Sequence, residues 1–238
     1  RDIMYLTPQH ILLAGATGLT GEHLLDRLLN EPTVARVLAP SRRSLAGHAH
    51  LENPVGELLQ LLWPNGTGKT SLLRCLAGFL YAEEGGIQWN GQSVKEDRAA
   101  FHWDLAYMGH ENALKDELNA MENLRFACAL RARYGTGELQ QALSEVGLAA
   151  IDPLLPVRNF SAGQKRRVAL ARLSLWRAKL WLLDEPVTNL DAAGQAVFEK
   201  LLASHLAAGG AAIIATHRKI DLPGAAVRLW RNPAEHLH

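Results

Sequence analysis

Trp63-Pro64-Asn65-Gly66-Thr67-Gly68-Lys69-Thr70 is the stretch that decides the fold. Two glycines ahead of Lys-Thr let the backbone turn tightly enough for several N–H groups to converge on phosphate oxygens. The lysine then adds a point charge, and the hydroxyl of Thr70 can reach a magnesium ion. Residues 57–63 read as a buried strand leading in. Residues 70–80 read as a helix leading out, with Leu72, Leu73 and Leu76 at core spacing and a positive dipole end aimed at the loop. One position departs from the pattern: Trp63 stands where such loops carry their first glycine.

Further stretches follow in a fixed order. Phe160-Ser161-Ala162-Gly163-Gln164 precedes the basic run Lys165-Arg166-Arg167-Val168-Ala169-Leu170-Ala171-Arg172. Leu180-Trp181-Leu182-Leu183-Asp184-Glu185-Pro186 is an apolar strand ending in two carboxylates, with Asn189-Leu190-Asp191 close behind. Ile213-Ile214-Ala215-Thr216-His217 is a second apolar strand, ending in a histidine. Both strands are of the kind found in a parallel sheet covered on both faces. Residues 85–91 read as a short strand and turn, and residues 116–130 and 136–146 as helices. Asp152-Pro153 and Leu155-Pro156 break the chain before the Ser161 motif.

From about residue 56 to 229 this order resembles the ATP-binding subunits of ABC transporters. The segments around Met108-Gly109-His110-Glu111, Glu122-Asn123-Leu124 and Phe160-Ser161-Ala162-Gly163-Gln164-Lys165-Arg166-Arg167 are similar to haem-exporter ATP-binding subunits of cytochrome c biogenesis. The resemblance implies an α/β P-loop NTPase fold with a parallel sheet and a helical subdomain. Asn65, Gly66, Thr67, Gly68, Lys69, Thr70 and Ser71 are then expected around the phosphates of ATP, with Thr70 and Asp184 on magnesium. Glu185 would orient or deprotonate the attacking water, and His217 would contact the γ-phosphate. Glu111 stands where the family carries a magnesium-sensing glutamine, which makes it a third candidate metal ligand. Ser161, Gly163 and Gln164 are implied to reach the nucleotide of an opposing subunit, with Asp191 at that interface. A homodimer, integral membrane partners and a place on the cytoplasmic face of the membrane follow from the same resemblance. The basic run 165–172 reads as a solvated helix face.

Residues 1–55 follow another pattern. A short apolar run at 10–14 leads into Gly15-Ala16-Thr17-Gly18-Leu19-Thr20-Gly21. An amphipathic stretch with Leu24, Leu25, Leu28 and Leu29 comes next, then a second strand at 34–38 and the basic pair Arg42-Arg43. Strand, glycine-rich turn, helix and strand form the opening of a dinucleotide-binding unit. Its glycine spacing resembles extended or atypical short-chain dehydrogenases, and two guanidinium forks suit the 2′-phosphate of NADP. No Tyr-x-x-x-Lys occurs in the chain, so an NADP-dependent oxidoreductase reading lacks its proton-transfer pair. The sequence therefore reads as a partial Rossmann-like segment, 1–55, ahead of an ABC-type domain, 56–238. Loss of the first strands takes away the aromatic that stacks on adenine, lowering affinity by roughly 1–3 kcal/mol. With Trp63 and Glu111, that loss leaves a non-hydrolysing nucleotide-binding hybrid as the other alternative.

Bulk composition narrows the class. Across 238 residues, 25 lysines and arginines nearly balance 24 aspartates and glutamates, so neither nucleic acid nor an anionic membrane surface is an expected partner. Two cysteines, Cys75 and Cys128, are too few for a disulfide framework. No apolar stretch is long enough to span a bilayer, and no cleavable signal is read at the N-terminus.

Overall fold

The structure is a computed structural model of the chain, and it describes residues 9–12, 34–38, 51–52, 58–62, 68–81, 87–89, 92–220, 222 and 227–230. Its centre is a five-stranded, all-parallel sheet. The strands are β4 (Leu58–Leu61), β7 (Leu105–Met108), β8 (Leu180–Asp184), β9 (Ala211–Ala215) and β10 (Val227–Trp230). They lie in the order β10-β4-β9-β8-β7. β4 and β8 are buried at every position, which explains why both read as continuous apolar runs rather than alternating ones. The polar exceptions are Asp184, at the end of β8, and Gln60, fully buried in β4. The Gln60 amide is satisfied by the backbone of Ile220, donating to the carbonyl at 2.5 Å and accepting from the N–H at 3.0 Å. That pair ties the segment just after His217 to the strand that feeds the phosphate loop.

Helices cover the sheet. α1 (Lys69–Leu76) packs Leu73 and Leu76 with Leu59, Leu61, Leu182 and Ile213 on one face. The helix reading ran to residue 80, but α1 stops at Leu76 because Gly78 adopts φ 72°, a left-handed turn that ends it. α6 (Ala192–Ala207) buries Phe198, Leu202 and Leu206, spaced four apart, in the core on the other side. β5 (Gln88–Trp89) and β6 (Gln92–Ser93) pair antiparallel, placing a strand within the 85–91 stretch, whose residues 85, 86, 90 and 91 lie outside the described residues. The pair leads to α2 (Arg98–Asp104), which the sequence reading did not anticipate. Trp89 donates its indole N–H to Asp104 at 2.9 Å, linking β5 to the helix.

Three helices form the helical subdomain: α3 (Ala120–Cys128), α4 (Thr136–Glu145) and α5 (Ala162–Leu175), sharing a core through Leu124, Leu139, Leu143, Val168 and Leu170. The helix expected from residue 116 starts at Ala120 instead. Asn119 caps it in a reciprocal box with Glu122. Residues 116 and 118 spend their carbonyls on the N–H groups of Arg158 and Val157, a pairing incompatible with helix. Cys128 is buried and Cys75 half-buried, both free.

In the N-terminal segment, β1 (Gln9–Leu12), β2 (Val34–Leu38) and β3 (Leu51–Glu52) form a separate parallel sheet in the order β1-β2-β3. β2 stands where the sequence placed it and β1 overlaps the apolar run read at 10–14, of which residues 13 and 14 lie outside the described residues; β3 was not foreseen. Gly15, Gly18, Gly21, Arg42 and Arg43, the candidates for dinucleotide contact, lie outside the described residues. Among the described residues, no helix is long and apolar enough to cross a membrane.

Candidate functional site

Parallel strands all end on the same side, so their C-terminal loops cluster, and α/β proteins bind ligands at that edge. Here β4, β7, β8 and β9 deliver Gly68, His110, Asp184 and His217 to one cleft of about 620 Å³. Lys69, Thr70, Ser71, Glu185 and Thr188 complete its lining. Gly68, at the N-cap of α1, has φ 88° and provides no side-chain cap to the first turn. A β-carbon there would meet no atom, so the glycine serves the backbone conformation rather than the space.

The charged groups interlock. Thr70 donates its hydroxyl to Asp184 at 2.7 Å, and Asp184 is almost wholly buried. Lys69 lies 3.5 Å from one oxygen of Glu185, and the Nδ1 of His217 is 2.9 Å from the other. Glu185 holds this place through an unusual backbone, φ 48°, secured by its own N–H donating to Ala215 in β9. A non-glycine residue with positive φ at a site marks geometry that its surroundings enforce.

A hydroxyl and a carboxylate side by side suit a magnesium ion, which takes few protein oxygens and completes its shell with water and substrate phosphates. Among the described residues no cluster of three or more His, Cys, Asp or Glu is poised for a metal, in keeping with so sparse a set. Glu111 is not part of it: its side chain is exposed, and the preceding residue, His110, lines the cleft in its place. His110 and Glu111 lie in a bend just after β7, which ends at Met108. Asn65, Gly66, Thr67 and Trp63 lie outside the described residues.

Ser161, Gly163, Gln164 and Asp191 form a second group, and none lines that cleft. Ser161 is the N-cap of α5, accepting from the Gln164 N–H at 3.1 Å, while the Gln164 side chain accepts from the Ser161 N–H at 2.8 Å. Asp191 caps α6, accepting from Gly194 at 2.8 Å and from Arg167 at 2.6 Å. The Gly194 N–H first, then Arg167, holds its carboxyl below the usual carboxylate range. The two helix starts touch closely, since a β-carbon on Gly163 would fall 2.8 Å from the carbonyl oxygen of Asn189.

The basic run 165–172 departs from a solvated face. Arg167 is largely covered, donating to the Val146 carbonyl and to Asp191, and Arg166 and Arg172 are buried, at 2% and 7% exposure. Helical spacing held the signal: Arg166 shares the 166, 170, 173 face with Leu170 and Leu173, both buried. His110 and Thr188 were also missed, since a loop of mixed polar residues gives no periodicity to read.

A family model described as ABC transporter matches residues 47–188. The cytochrome c biogenesis ATP-binding export protein CcmA of Aliivibrio fischeri is 46% identical over 165 residues, which cover 69% of this chain and 80% of that one. Its namesake from Nitrosococcus oceani is 49% identical over 171 residues, covering 72% and 78%. Among solved structures, a putative ABC transporter ATP-binding protein from Pyrococcus furiosus superposes with a TM-score of 0.64 at 23% identity, covering 74% of this chain and 86% of that one. At that identity the likeness speaks for the fold alone.

Proposed function

The chain belongs to the ABC transporter family as an ATP-binding, ATP-hydrolysing domain, and on that premise we propose that it powers an export step in cytochrome c biogenesis. The exported species on this reading is haem. The observation that carries the reading is the convergence of Lys69, Thr70, Asp184, Glu185 and His217 at the strand ends, with a 2.7 Å Thr70–Asp184 bond and Glu185 held between Lys69 and His217.

Each residue has a part. The N–H groups at the start of α1 bind phosphate oxygens, and Lys69 exchanges its Glu185 partner for the β- and γ-phosphates. Thr70 and Asp184 would hold magnesium, which when bound neutralises charge on the transferred phosphoryl group. Glu185, released from Lys69, orients the attacking water and accepts its proton. His217, retained at the Glu185 carboxylate, fixes that carboxylate and meets the γ-phosphate. Positioning and charge, rather than covalent chemistry, do most of the work in such transfers.

The second group completes a site in trans. Ser161, Gly163 and Gln164 start a helix whose exposed N-terminus attracts phosphate, and the reading has it face the nucleotide of a second copy, with Asp191 between. Two nucleotides are then sandwiched in a homodimer that docks on integral membrane subunits at the cytoplasmic face. Residues 1–55 form a separate N-terminal unit on this reading.

Calorimetric titration of the full chain with Mg-ATP tests the core of this. Lys69 is 7% exposed and its charge sits beside Glu185 at 3.5 Å. Loss of such a buried charged contact in Lys69→Ala costs about 2–5 kcal/mol of binding, at least ~30-fold in Kd. Equal affinity in the two proteins would refute the assignment. NADPH binding in place of ATP binding would move the working site to the N-terminal glycines.

A further inference from the structure

Arg166 lies in the second turn of α5, yet its guanidinium is buried and spends all five N–H groups on two loops of the cleft. Its Nε donates to the carbonyl of Pro186 at 3.0 Å, and its Nη2 to those of Asp184 at 3.0 Å and Glu185 at 2.7 Å. Its Nη1 reaches the side chain of Asn112 at 3.0 Å and the carbonyls of Gly109 at 3.2 Å and His110 at 3.4 Å. Burial, with the nearby Arg172 charge, lowers its pKa to about 10, so the fork stays cationic at neutral pH.

Three consecutive carbonyls, 184 to 186, thus converge on one side chain. That is the turn in which Glu185 adopts its left-handed backbone, and a planar fork enforces that convergence better than a flexible ammonium could. The other end of the fork fixes the loop that brings His110 to the cleft. The helix carrying Arg166 begins at Ser161, the start proposed to face the second copy's nucleotide.

We infer that Arg166 is a positioning residue for hydrolysis, a rigid strut that holds the Glu185 carboxylate in line and joins it to the helix start serving the opposite site. The inference rests on the ATP-hydrolysing dimer proposed above. It assigns Arg166 no contact with substrate: Arg166 acts through the Asp184–Pro186 backbone.

The test uses the full chain, with Arg166→Lys, Glu185→Gln and the double variant. Mg-ATP affinity is measured by calorimetry, phosphate release by kinetics and folding by thermal melting. Loss of the fork displaces a reacting group by a fraction of an ångström to an ångström, so kcat falls by up to roughly 10²-fold. Mg-ATP Kd stays within about threefold, because the binding groups on α1 are untouched. In the Glu185→Gln background, Arg166→Lys costs less than about twofold more, since the group it positions is already gone. A merely structural role predicts otherwise: losses in kcat and affinity together, and losses that multiply in the double variant. Either result overturns the inference, as does wild-type turnover in Arg166→Lys. If the lysine variant fails to fold, Arg166→Gln, which buries no ammonium, takes its place. Failure of both to fold makes Arg166 a folding residue and overturns the positioning role. A wild-type chain that neither binds nor hydrolyses Mg-ATP is recognised before any variant is made, and refutes the ATPase reading itself.

Discussion

Gly163→Ala adds a single methyl where α5 meets the Asn189–Asp191 loop. The new β-carbon would stand 2.8 Å from the carbonyl oxygen of Asn189, about half an ångström short of ordinary contact. That oxygen belongs to the backbone of a residue with φ 65°, so it cannot swing aside as a side-chain tip would. The helix start and the loop must part. Overpacking of this kind costs about 1–3 kcal/mol, and alanine in a helix returns about 1 kcal/mol over glycine. The net destabilisation is therefore about 0–2 kcal/mol, and Tm falls by no more than roughly 8 °C. Turnover is hit harder in proportion. An ångström of misplacement costs about 10²-fold in rate, so half an ångström is worth about tenfold. Phosphate release and Mg-ATP titration on the folded variant check this, with kcat reduced about tenfold and Kd close to wild type. Gly137→Ala supplies the control, because a β-carbon there meets nothing within 4 Å and the change should be kinetically silent. Wild-type turnover in Gly163→Ala, or an equal loss in Gly137→Ala, would refute the contact argument.

Gly210 and His205 give two further tests on the opposite face of the sheet. A β-carbon on Gly210 would fall 2.1 Å from the His205 ring, which stacks on Trp181 at 4.0 Å between centroids and bonds the Ala211 carbonyl at 3.0 Å. Gly210→Ala should cost about 1–3 kcal/mol, as displacement of the His205 ring loses the stacking and the hydrogen bond, while leaving Mg-ATP affinity unchanged. Thermal melting checks it, and a second substitution, His205→Ala, should make Gly210→Ala nearly silent. Burial also lowers the pKa of His205 below 6.5. The unfolded chain then binds the extra proton first, so stability falls as pH drops through about 6.5 toward the folded value. The melting temperature of wild type should decline more between about pH 7 and pH 5 than that of His205→Gln, and parallel declines would exclude His205 as a source.

What the linear chain determined was whatever depends on local backbone demands. The Gly68-Lys69-Thr70 start of α1, the apolar strand ending at Asp184 and the second apolar strand, which stops at Ala215 just short of His217, were all legible. Each is written in a short run whose residue types suit one local geometry: glycine for a tight turn, apolar residues for a strand buried on both faces. The strand at 34–38 was legible on the same grounds. The helix start at 120 was not, because a distant pairing with residues 157–158 sets it, and the end at 76 was overrun although Gly78 marks it locally.

Tertiary structure decided which of the legible residues meet. Sequence order separates Thr70 from Asp184 by 114 positions, and only the parallel sheet, whose strand ends share one edge, brings them within a hydrogen bond. It also chose His110 over Glu111 for the cleft, through the course of the bend that follows β7. Arg166 is the sharpest case. A basic residue in a basic run reads as solvated, and its burial became favourable only when folding set six acceptors around one fork. Desolvating a guanidinium costs several kcal/mol unless its N–H groups are satisfied, and those acceptors come from segments 18 to 57 residues away.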